Sequence, residues 1–131
     1  MAAEPERPSV ILVLEDIEET RDGIERLLRA SDYAVITARD EGEALFKAGL
    51  QPPDLILISL GLQAAASAAM GRRIRESACP SQRVPIVIFC VPGLAEGAEE
   101  IVDGDIHLTR PDNFNQLRDL LKRLVGTERP E

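Results

Sequence analysis

The chain has 131 residues, 44% of them apolar, which is enough for one domain with one core and no need of metals or disulfides to hold it together. Against 15 basic residues stand 23 acidic ones, and the formal charge of -8 repels polyanions, which argues against duplex nucleic acid or an anionic membrane as direct partner and favours proteins. Two cysteines without CxxC spacing, no apolar leader after the first methionine, and no apolar run near the ~20 residues that span a bilayer point to a reduced, cytoplasmic protein.

Residues 1–8 read as a solvated tail, residues 9–126 as the domain and residues 127–131 as a second tail. Apolar runs of strand length recur from there. Val10–Leu14 is the first, and Ile17, Ile24, Leu27 and Leu28 then fall on one face of a helix whose wet side carries Glu18, Glu19, Arg21, Asp22 and Arg26. Tyr33–Ile36 is the second strand. A helix from Asp40 to Leu50 ends at the breaker Pro52-Pro53. Leu55–Ile58 is the third strand, followed by an Ala-rich helix from Ala64 to Ala78 anchored by Met70 and Ile74. Ile86–Val91 is the fourth strand, the segment from Leu94 to Val102 a helix of two or three turns containing Gly97, and Ile106–Leu108 a short fifth strand. Phe114, Leu117, Leu121 and Leu124 mark the last helix, with Asp112 or Asn113 at its N-cap.

Strands that are apolar at successive positions are covered on both faces. The expected architecture is therefore α/β, a doubly wound (βα)5 unit with a parallel five-stranded sheet in the order 2-1-3-4-5 and a crevice where the winding reverses between the first and third strands. Glu15 and Asp16 end the first strand, Ser59 the third, Cys90 the fourth and Thr109-Arg110-Pro111 the fifth, so these residues meet on one rim.

Four segments carry a more specific likeness. Ile11-Leu12-Val13-Leu14-Glu15-Asp16, Pro53-Asp54-Leu55-Ile56-Leu57-Ile58, Pro85-Ile86-Val87-Ile88-Phe89 and Leu108-Thr109-Arg110-Pro111 resemble, in order and over Val10 to Val125, the signature segments of response-regulator receiver domains, a flavodoxin-like fold. The resemblance implies an acidic pair for Mg²⁺ at Glu15 and Asp16, and a phosphoacceptor aspartate, served by a histidine kinase, at the position held by Ser59. It further implies a hydroxyl residue at Cys90, a lysine at Arg110 and an aromatic switch residue at His107.

Those departures define the expectation. A carboxylate attacks a phosphoryl group unaided, whereas a serine hydroxyl is protonated at neutral pH and needs an adjacent base. Replacing the carboxylate with Ser59 also removes one hard oxygen ligand and one negative charge, so any Mg²⁺ site is weak and no cofactor is required. Cys90 offers only a weak S–H donor, and Arg110 is a planar fork rather than a compact ammonium. Arg110 is instead expected to pair with the acidic residues across the rim or to stay solvated. The chain reads as an atypical receiver, or pseudo-receiver: a non-enzymatic interaction module of two-component signalling whose output does not depend on phosphorylation. Its partner would be a histidine kinase, an output protein or a second copy, met through the fourth helix, fifth strand and fifth helix. The run Arg72, Arg73 and Arg75 is a candidate contact for an acidic partner, weighed against a solvated helix face.

Two other classes are weaker. Asp16-Ile17-Glu18-Glu19-Thr20 resembles the nucleophile motif of Mg²⁺-dependent haloacid-dehalogenase-type phosphatases, but no downstream acidic pair or cap domain accompanies it. A flavodoxin-like nucleotide binder would need a phosphate loop rich in Ser, Thr or Gly where Asp16-Ile17-Glu18-Glu19 stands.

Overall fold

A computed structural model describes residues 8–80, 83–89, 93–111 and 113–126. The expected tails lie mostly outside these, as do Cys90, Val91 and Asp112. Among the described residues six strands and four helices follow in the order β1 (Val10–Glu15), α1 (Glu18–Ala30), β2 (Ala34–Ala38), α2 (Glu41–Leu50), β3 (Leu55–Ser59), α3 (Ala64–Ala78), β4 (Ile86–Phe89), β5 (Glu99–Val102), β6 (Ile106–Thr109) and α4 (Phe114–Leu121). A π-helical turn, Lys122–Gly126, continues α4.

The sheet runs β2-β1-β3-β4-β6-β5, parallel throughout except for β5, which pairs antiparallel with β6 at the edge. The expected parallel order is thus present, with β6 as its fifth member. Side chains alternate between two dry faces. Leu12, Leu14, Ile56, Ile58, Ile86, Ile88, Ile106 and Leu108 pack with Ala44 and Ala48 of α2 and Ala68 and Ile74 of α3. Ile11, Val13, Leu55, Leu57 and Val87 pack with Ile24 and Leu28 of α1 and Leu117, Leu120 and Leu121 of α4. Each fully buried Leu or Ile stabilises the fold by roughly 1.5–3 kcal/mol, which is why the central strands have no polar side chain until their ends.

Helix ends obey local chemistry. Asp40 accepts from the Glu43 amide while the Glu43 carboxylate accepts from the Arg39 amide, and Asn113 rather than Asp112 caps α4 by accepting from the Gln116 amide.

One expected element is different. The segment from Leu94 to Val102 is not a helix; its second half is the edge strand β5, and the parallel crossover from β4 to β6 is made by a hairpin. Three features favour this course. Gly93, Gly97 and Gly104 have positive φ, as does Asp103, so the backbone turns where a helix would continue. The Leu94 carbonyl accepts from the Arg110 guanidinium at 3.0 Å, and the Gly97 carbonyl from the Gln116 side chain at 2.9 Å. Glu99 is tied to Arg123 and Gln116.

Candidate functional site

The crevice lies where the sheet order reverses, with β2 on one side of β1 and β3 on the other. Glu15 and Ser59 are register partners at the carboxyl ends of β1 and β3, and strand alternation sends both side chains to the α1 face. Glu15 is only 3% exposed. Its Oε1 accepts from the Ser59 hydroxyl at 2.7 Å and its Oε2 from the Ile17 amide at 3.1 Å. The Glu15 carbonyl accepts from the Arg21 guanidinium at 3.0 Å. A buried carboxylate is costly unless its oxygens are hydrogen-bonded, and here the strand-end serine and the turn before α1 supply that. Asp16, by contrast, is exposed.

Arg110 does not meet this pair. It is exposed, and its guanidinium reaches back along the rim to the Leu94 carbonyl. The expectation of an ion pair across the rim is therefore corrected: the Leu94 carbonyl of the β4–β5 segment, held close by the backbone bond from the Arg110 amide to the Ala98 carbonyl, takes the guanidinium first. His107 is half-buried on β6 between Val87 and Ile101, and burial pushes its imidazole below the usual value of 6.5, with Arg123 adding to the effect against Glu99 and Asp105. Thr109, two residues on and wholly buried, has a hydroxyl with no hydrogen-bond partner among the described residues. Cys90 lies outside the described residues. The other cysteine, Cys79, sits 3.9 Å from the Pro53 carbonyl, and burial pushes its thiol up. Asp54 is at the opposite end of β3, where it accepts from the Val10 amide, so it does not stand in for a carboxylate at Ser59.

The three arginines of α3 are engaged within the chain. Arg73 forms a two-bond pair with Glu41, holding that carboxyl below the usual range; Arg72 pairs with Asp103; Arg75, 12% exposed, bonds Asp105 and the Val84 carbonyl. The acceptors of these arginines, Glu41, Asp103 and Asp105, were not legible from the run itself, because they are about 30 residues away in sequence. Arg21, on the wet face of α1, joins the site in the same way, through its bond to the Glu15 carbonyl.

As a cation site, the rim is poor. Among the described residues no group of three or more His, Cys, Asp or Glu side chains is arranged to hold a metal. A cation would have to take Glu15 from both of its donors and would then find Asp16 as the remaining carboxylate, which does not fit the several hard oxygens Mg²⁺ demands.

No family model and no curated protein matches the chain. Solved structures do. The receiver domain of a sensor histidine kinase from Pseudomonas aeruginosa, solved with magnesium coordinated in its active-site cleft, is 25% identical with a TM-score of 0.66, covering 92% of this chain and 99% of that one. The chemotaxis protein CheY4 of Vibrio cholerae is 21% identical with a TM-score of 0.68, over 90% and 99%. A two-component response regulator from Clostridium difficile is 19% identical with a TM-score of 0.67, over 93% and 99%. The fold is therefore the flavodoxin-like receiver fold, altered at its β4–β6 crossover.

Proposed function

We propose that this chain is a receiver-type module of two-component signalling that works by docking to a protein partner and is not switched by a phosphoryl group. The supporting observation is the Ser59–Glu15 hydrogen bond at 2.7 Å. An alcohol occupies the strand end where the resemblance implies an aspartate. Its proton is given to a carboxylate that is itself fixed on the other side by the Ile17 amide. Glu15 lies within reach of that proton, but a carboxylate is a weak base toward an alcohol, and an alkoxide formed here would lie beside the carboxyl group with the Arg110 guanidinium turned to the Leu94 carbonyl. Magnesium, seen in the Pseudomonas neighbour, plays no part in this reading beyond a weak association at Asp16.

The partner is a histidine kinase, an output protein or a second copy, and the net charge of -8 disfavours nucleic acid and anionic membranes. No helix among the described residues is long and apolar enough to cross a membrane. The face made by α4 and the β5–β6 hairpin is the proposed contact. Arg72 and Arg73, 37% and 56% exposed, can exchange their internal carboxylates for those of an acidic partner, whereas half-buried Arg75, held by Asp105, cannot.

Intact-mass measurement after incubation with Mg²⁺ and acetyl phosphate tests the reading. The expected mass is unchanged. A base-labile gain of one phosphoryl group would place an acyl phosphate on a carboxylate such as Asp16 or Asp54, a base-stable gain would place an ester on Ser59, and either would overturn it.

A further inference from the structure

Residues 94–102 make a poor strand and a good helix. All four residues of β5 are exposed, with Ile101 at 64% and Val102 at 37%, and each face of the strand mixes one glutamate with one apolar side chain. At 100° per residue, however, Leu94, Ala95, Ala98, Ile101 and Val102 fall within one arc of a helix and Glu96, Glu99 and Glu100 oppose them. Gly104, already at φ +81, stands where a helix ending at Val102 would place its left-handed glycine. Beside the segment lies an apolar groove of about 290 Å³ between α3 and the hairpin, walled by Ala64, Ala65, Ala68 and Arg72 on one side and Val102, Ile106 and Leu108 on the other, so that one residue of the segment already reaches it. Its alanine wall permits close approach of a second helix.

We propose that residues 94–102 are a two-state element, exchanging between the edge strand and an amphipathic helix that keeps Leu94 and Ala98 against the core and brings Ile101 in beside Val102 at this groove. The strand state is held by identifiable bonds: Gly97 amide to Arg110 carbonyl, Arg110 amide to Ala98 carbonyl, Gln116 to the Gly97 carbonyl, and Arg123 and Gln116 to Glu99. Two of these donors are side chains of α4 and its π-helical continuation. A ligand engaging Gln116 and Arg123 would therefore shift the population toward the helix. The inference stands apart from the reading of Ser59 and survives its failure.

Two variants bias the equilibrium in opposite directions. Gly97→Ala strains the strand state, where φ is +83, and favours the helix, so the helix-to-strand ratio should rise at least about tenfold. Ile101→Pro forbids the helix. It spares the strand because the ladder bond to the Ala98 carbonyl turns the amides of Glu99 and Ile101 outward, the position in which edge strands accept proline. Backbone NMR reads both: helical ¹³Cα shifts over 95–101 in G97A, and saturation-transfer exchange over 94–102 that is present in the wild type and absent in I101P. Strand shifts retained by a folded G97A would overturn the proposal. Should G97A fail to fold, the other pair decides, because exchange absent from both wild type and I101P would overturn it equally.

Discussion

Glu15 and Ser59 are adjacent strand ends whose side chains complete each other. The glutamate, 3% exposed, needs two donors; the serine supplies one and the Ile17 amide the other. Removing the hydroxyl leaves a buried carboxylate oxygen short of a partner, so Ser59→Ala should destabilise the protein by about 1–3 kcal/mol. Urea unfolding checks this, with a lowered midpoint at unchanged slope expected and an unchanged midpoint contradicting the importance of the bond. Much of this site was legible in the sequence because a run of apolar residues in a parallel strand ends where the chain meets solvent, and that boundary identifies Glu15 and Ser59 without coordinates. Arg110 was legible in place but not in direction. A long, flexible side chain chooses among acceptors, and the Leu94 carbonyl that it takes belongs to a segment whose course was misread.

At the scale of elements, the helices with a clear apolar face, α1, α3 and α4, lie where their periodicity places them. The hairpin does not, for the same reason: Leu94, Ala98, Ile101 and Val102 repeat with helical spacing, and only the glycine turns and the grip of Gln116 and Arg123 explain the strand. Local pattern and tertiary contacts disagree there, and such disagreement marks segments able to change state. Helix α3 shows the opposite case, a glycine inside a helix with a packing reason. A Cβ at Gly71 would lie 2.9 Å from Cγ2 of Ile86 and 3.2 Å from Cδ1 of Ile58, both part of the buried sheet. Alanine improves helix propensity by about 1 kcal/mol, but overpacking here costs about 1–3 kcal/mol. Gly71→Ala should therefore lower the thermal midpoint, and a rise would show that α3 can lift from the sheet without penalty.

Across the whole molecule, the parallel sheet, its two covered faces and its reversal point reproduce the receiver fold of the solved neighbours. In this chain the described crevice groups are engaged internally. Glu15 is bonded on both oxygens, Arg110 faces the β4–β5 segment, and the crossover before β6 is a hairpin clasped by α4. The proposed partner surface, the hairpin and α4, is linked to the rim through the bond from Arg110 to the Leu94 carbonyl. Whether the carboxylate is committed internally can be read at one amide. In a ¹⁵N NMR titration with Mg²⁺, the Ile17 amide bonded to Glu15 should shift slightly and without saturation up to about 10 mM, as expected of a site with one accessible carboxylate. Concerted movement of the Ile17 and Ser59 amides that saturates below about 1 mM would mean that Glu15 had left both donors for the metal, and would contradict a closed crevice.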